Sequence, residues 1–194
     1  MKLTKLLLCF LALGAACLWI SNNNTASHAN TLTQLGQQHA TMTIDNGQSH
    51  SILGQPTISA SFINTILCDN GSPACGTGQS LYSLGKQYGI DPAWALAFFN
   101  HESTYGRFGV ASRNLGIGNI RCTSGYVCVN GFRAYQDWST GYLDWYRLIT
   151  WYANTLHKST IETIIPTYAP ATENNVNAYI ASVVTSVMAW RREA

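Results

Sequence analysis

The stretch "DPAWALAFFNHE" (91–102) limits the possible folds more than any other part of this chain. Asp91 followed by Pro92 is a strong helix start: a short side-chain acceptor caps the first amides, and proline takes the one helical position that needs no donor. The next residues, Ala93, Trp94, Ala95, Leu96, Ala97, Phe98 and Phe99, are apolar on every face of a helix. Such a helix is stable only with neighbours all round it. The chain should therefore pack other helices about a buried central one. At the end of that helix stands Glu102, one of only nine acidic residues among 194.

The position of Glu102 acts on its proton. Burial disfavours the carboxylate and raises the pKa, and the negative end of the helix dipole pushes the same way. A nearby cation, such as Arg107 or a protonated His101, would oppose both. A carboxyl group still protonated near neutral pH is what a general acid needs to donate to a leaving oxygen. The plain alternative is a glutamate facing solvent at a helix end.

The surrounding chain reads as helices with irregular interruptions. "ISASFINTIL" (58–67) suits a short helix. "GQSLYSLGKQYG" (78–89) places Leu81, Tyr82, Leu84 and Tyr88 near helical spacing, with Gly89 as its C-terminal cap. Residues 104–136 hold six glycines and two cysteines, which predicts loops and a small hairpin. Asp137 opens a long amphipathic helix. "STIETII" (159–165) starts with a capping box of Ser159 and Glu162, and Pro166 ends it. "ENNVNAYIASVVTSVMAWRR" (173–192) is a final helix with Arg191 and Arg192 at its favourable end. The expected fold class is mainly α with a small irregular or β lobe. Trp94, Trp145 and Trp190 sit among apolar residues at helical spacing, so they read as core rather than as sugar-stacking platforms.

Residues 1–29 read as a secretory signal peptide: Lys2 and Lys5, an apolar run over 6–20 that is short for a membrane span, then small residues Ser27 and Ala29 for cleavage. An uncleaved anchor, or a lipoprotein signal ending at Cys17, are the alternatives; Gly14 stands where the latter usually has a larger apolar residue. Residues 30–56 are polar and read as a linker, and 57–194 as the domain. The expectation is a secreted or cell-surface protein, monomeric, with any membrane tether confined to the N-terminal segment. Outside residues 1–29, nine basic residues face nine acidic ones. A balanced domain has no electrostatic footprint for nucleic acid and suits a neutral, hydroxyl-rich ligand such as a sugar. The cysteines beyond the signal, Cys68, Cys75, Cys122 and Cys128, are even in number, as expected of disulfides in an exported domain. Three pairings are possible; the spacing favours two local loops, 68 with 75 and 122 with 128. Zinc binding lacks CxxC spacing and neighbouring histidines. "HESTY" lacks the second histidine of a zinc protease, and no GxSxG or Walker motif is present.

"ALAFFNHESTYG" (95–106) resembles the helix-end glutamate motif of the lysozyme superfamily, the Glu-Ser-x-x-Gly pattern of lytic transglycosylases and goose-type lysozymes. The downstream order resembles more closely the bacterial N-acetylglucosaminidases of glycoside hydrolase family 73. Those carry an Asn-Leu-x-Gly-Ile stretch, a Phe-Arg-x-Tyr segment and a Tyr-Ala segment before the last helix. This chain has "RNLGIGNIRC" (113–122), one residue shorter, then "GFRAYQDW" (131–138) and "PTYAPATENNVNAYIASVV" (166–184). The similarity spans about residues 78–190.

The resemblance implies a lysozyme-like fold, an endo-β-N-acetylglucosaminidase activity on the glycan strands of peptidoglycan, and no metal or other cofactor. It implies Glu102 as the catalytic acid, and Asn114, Gly116, Ile117, Asn119, Arg133, Tyr135 and Tyr168 as substrate-binding, with Tyr168 near the acid. Glycosidases usually employ two carboxylates. Asp137, after the Phe-Arg-x-Tyr segment, is the best second candidate, although family 73 members often lack an obvious one. A lytic transglycosylase or muramidase, or a wall-binding module without turnover, are the rival expectations.

Overall fold

The computed structural model describes residues 49–194. The segment read as a signal peptide, and most of the polar linker, lie outside those residues. The described part is mainly helical, with seven helices and one two-stranded sheet.

Helix α1 (Ala60–Asp69) starts where Ser59 accepts from the Phe62 amide, and it buries Ile63 and Leu67. Helix α2 (Gly78–Tyr88) ends at Gly89, whose φ of +66° supplies the left-handed cap. It crosses α1 at Gly78, where a Cβ would stand 2.7 Å from Asn64. Helix α3 (Pro92–Ser103) begins as expected, with the Asp91 side chain accepting from the Ala93 amide. Every residue from Ala93 to Phe99 is at most 1% exposed. Helix α4 (Ala111–Asn114) is a single turn inside the region expected to be loop.

Strands β1 (Cys128–Val129) and β2 (Phe132–Arg133) form the expected hairpin, pairing Val129 with Phe132. Both turn residues have positive φ, Asn130 at 53° and Gly131 at 83°, the backbone that matches the twist of a two-residue hairpin. Helix α5 (Trp138–Thr155) is capped by Asp137 and buries Tyr142, Trp145, Tyr146 and Ile149. Helices α6 (Ile161–Tyr168) and α7 (Val176–Glu193) follow. Helix α3 packs against α2 and α7, α5 against α2, and α6 against α7. The three tryptophans read as core are all buried.

The start of α6 corrects one expectation. Its cap is Thr160, boxed with Thr163, rather than Ser159 with Glu162, and the helix runs through Pro166 to Tyr168. Proline removes the amide that would bond to the Glu162 carbonyl, but the turn closes because the Ala169 amide still reaches Ile165 O at 2.8 Å. Glu162 binds His50 instead, through the His50 amide at 3.0 Å and Nδ1 at 2.6 Å. The folded body therefore begins earlier than residue 57. Ile52, within the polar stretch, is buried, and its backbone bonds to Ser159 O and the Asp91 amide. Asp91 itself is buried and accepts from Thr57 and Arg191, joining the N-terminal segment, α3 and α7.

Both local disulfides are present, with Cα separations of 4.7 Å for Cys68–Cys75 and 5.8 Å for Cys122–Cys128.

Candidate active site

The end of α3 is built to stop abruptly. Thr104 and Tyr105 both adopt left-handed backbone, at φ 49° and 57°, and their amides return to Asn100 O and Phe99 O. Non-glycine residues hold this conformation only where surrounding structure imposes it. The imposing contacts belong to the "ESTYG" pattern. Ser103 Oγ accepts from the Gly106 amide at 2.9 Å. Gly106 lies so close to Phe99 and Trp138 that a Cβ would stand 3.0 Å from the Phe99 ring. The turn thus fixes the last residues of α3, Glu102 among them, against a rigid base.

Glu102 opens into a cleft of about 500 Å³. One side is the hairpin region, through Arg121, Thr123, Phe132 and Arg133; the other is the α6–α7 connection, through Thr167, Tyr168, Pro170, Glu173 and Asn174. Gly118, Asn119 and Ile120 lie beside the acid. Both carboxyl oxygens of Glu102 have donors. Tyr179 Oη donates to Oε1 at 2.5 Å, and Asn119 Nδ2 donates to Oε2 at 2.9 Å. Burial raises the Glu102 pKa, and these two hydrogen bonds oppose the rise. Burial lowers the pKa of the neighbouring His101, which disfavours the charged form that would oppose the rise. Tyr179 remains a donor because burial, and then the Glu102 charge, push its phenol well above the ordinary value. Its ring is sandwiched in place, stacked on His101 at 3.7 Å and tilted against Phe98 at 5.6 Å.

The other predicted residues divide. Asn119, Arg133 and Tyr168 line the cleft with Glu102. Asn114, Gly116 and Ile117 are buried and do not line it. They shape the turn that presents Gly118 and Asn119: Asn114 Oδ1 accepts from the Gly116 amide, and Asn114 O accepts from the Tyr135 amide. Tyr168 does not bond to the acid; its hydroxyl donates to Gly118 O. A Cβ at Gly118 would collide with that hydroxyl and stand 2.6 Å from the Trp145 ring, so glycine there lets the loop lie flat on the aromatic floor.

Tyr135 does not line the cleft either. With Arg133 it serves an anchor absent from the predicted set, Asp144 on α5. Asp144 accepts from Arg133 at 2.9 Å, Tyr135 at 2.6 Å and Tyr126 at 3.2 Å. The expectation for Asp137 fails. It is exposed, outside the cleft, and occupied as the cap of α5, where bonds from Thr140 lower its pKa. The second carboxylate among the residues lining the cleft is Glu173, which Arg121 holds at 2.6 Å.

Tyr179 and the Arg121–Glu173 pair are not legible as site residues from the sequence. Tyr179 falls on the i, i+4, i+8 apolar stripe with Val183 and Val187, and a stripe does not reveal where one hydroxyl ends. Asp144 carried a usable signal, an acid between Leu143 and Trp145 on the buried side of a helix.

A carboxyl group raised by burial, held through both oxygens and facing a cleft can give a proton to a bound ligand and take one back. Comparison with protein-family models yields no match for this chain, and neither does comparison with curated proteins.

Proposed function

We propose that this protein is a secreted peptidoglycan glycosidase of lysozyme-like fold, an endo-β-N-acetylglucosaminidase with Glu102 as its general acid. The observation that carries the reading is the setting of Glu102 in the cleft: partly buried, raised in pKa by desolvation, and aimed by Tyr179 and Asn119. The ordered resemblance over residues 78–190 supports the substrate class.

Glu102 is the one acid in the cleft that is fixed in place, and this bears on mechanism. Asp137 lies outside the cleft, and Glu173 is largely exposed and paired only with the exposed Arg121, so neither is fixed for attack and a nucleophile is best supplied by the substrate. Glu102 protonates the glycosidic oxygen as the C1–O bond breaks, and the 2-acetamido carbonyl of the same sugar bonds to C1. Water then opens that cyclic intermediate, giving its proton to the Glu102 carboxylate. A second reading, a lytic transglycosylase, rests on the same single acid: the C6 hydroxyl would take the place of water and leave an anhydro sugar.

The full-length protein should release soluble fragments from purified peptidoglycan, and absence of release would count against this function. The Tyr179→Phe variant adds a finer test. It removes the strongest bond that lowers the Glu102 pKa, so the pKa rises further and the acid keeps its proton to higher pH. The alkaline limb of the kcat/KM profile should move upward in pH, while the maximal rate falls roughly tenfold through lost orientation. A limb that stays in place would mean that another group sets it.

A further inference from the structure

Four charged side chains line the cleft: Glu102, Arg121, Arg133 and Glu173. Two are committed to partners in the interior. Glu102 is held by Tyr179 and Asn119. Arg133 is 14% exposed and paired with the buried Asp144. Arg121 and Glu173 differ from them, being 70% and 58% exposed. Their ion pair joins the hairpin side of the cleft to the α6–α7 connection. A pair this open to water is weak and easily exchanged.

Arg121 is nonetheless well placed. Its backbone bridges to Phe132, and its guanidinium lies 5.4 Å from the Phe132 ring centre. Only Nη2 of the guanidinium donates to Glu173. Most of the donor fork remains open, in the geometry that matches a carboxylate bidentately. Arg133 cannot take that part without abandoning Asp144, so Arg121 is the one exchangeable cation among the lining residues.

We propose that Arg121 is a specificity-determining residue for glycans that bear a carboxylate, with Glu173 as its stand-in counter-ion in the free protein. This rests on the glycan-cleft reading above. A sugar carboxylate entering the cleft displaces Glu173 and takes the open fork. The lactyl ether carboxylate of alternating wall glycans has the required chemistry where no peptide is joined to it; a lactyl group in amide linkage to a stem peptide, or an uncharged N-acetylglucosamine chain, does not.

The test is equilibrium binding to full-length Glu102→Gln protein, which does not consume the ligand. The probes are one alternating β-1,4 oligosaccharide with its lactyl groups either as free acids or as primary amides, nearly equal in shape and different in charge. At neutral pH and low salt the acid should bind about fivefold more tightly, and added salt should erase the preference. Adding Arg121→Gln should bring the ratio to about one, Arg121→Lys should keep part of it, and Glu173→Gln should increase it by removing the competitor. An acid-to-amide ratio of one in the parent, or a preference that survives Arg121→Gln, overturns the inference and leaves the glycan reading standing. If neither oligosaccharide binds, the glycan reading itself fails and the inference falls with it.

Discussion

Glu102→Gln should lower kcat for glycan cleavage by about a thousandfold and leave the fold intact. The amide has the same shape, and its oxygen still accepts from Tyr179, but it has no proton to give. The substitution also has a stability signature that a merely damaging change would lack. The folded-state pKa of Glu102 is raised above its ordinary value of 4.5. The stability contributed by its bound proton is therefore fully present below about pH 4.5 and is lost as pH rises through the folded-state pKa. Above that window the native protein carries a desolvated charge and the glutamine variant does not. The variant should equal or exceed the parent in Tm at pH 8, and lose that advantage at pH 4. Thermal unfolding at both values, beside initial rates, checks the two halves together. Retained activity would remove Glu102 from the chemistry.

The largest expected effect away from the acid belongs to Asp144→Ala. Asp144 is 6% exposed, and three side chains converge on it from the hairpin region: Arg133, Tyr135 and Tyr126. Arg133 also lies against the Tyr126 ring at 3.7 Å. Truncation leaves the Arg133 charge largely buried without its counter-ion, for which the cost is about 3 kcal/mol or more. Urea unfolding should show that loss. Because Arg133 and Phe132 line the cleft, activity should fall at temperatures where the protein is still folded. Asp144→Asn keeps one acceptor oxygen for a tyrosine and fills the space of the carboxylate, so it should lose less. Equal stability of Asp144→Ala and parent would show that the hairpin is held by its disulfide and apolar contacts alone.

Much of the scaffold was legible because local chemistry and burial agree. Asp91-Pro92 and the apolar run to Phe99 dictate a buried helix, and the same run dictates where Glu102 must sit. Asp137 announces α5, and Gly89 ends α2. What sequence spacing could not supply was direction across the fold. Asn114, Gly116 and Ile117 fell beside the cleft loop in sequence, yet they turn inward and support it, while Asn119 turns toward the acid. The place of Asp137 after the Phe-Arg-x-Tyr segment suggests a second acid, but capping a helix fixes a carboxylate on the chain's own amides. Tyr179 reaches Glu102 across 77 positions, a contact created by the packing of α3 on α7. The α6 start departs from the sequence pattern for a local reason: Ser159 and Thr160 are both competent caps, and Glu162, which a box at Ser159 would need, is bonded to His50.

Analysis of product ends tests the central claim most directly. Purified peptidoglycan digested by the full-length protein should yield fragments with new reducing N-acetylglucosamine ends, detected by borohydride labelling and mass, and none from the Glu102→Gln variant. Anhydro-muramic ends would keep Glu102 as the acid and replace hydrolysis with the lytic reaction. Intact glycan strands after digestion by the parent protein, with glycan still bound, would contradict the account and leave a binding module in its place.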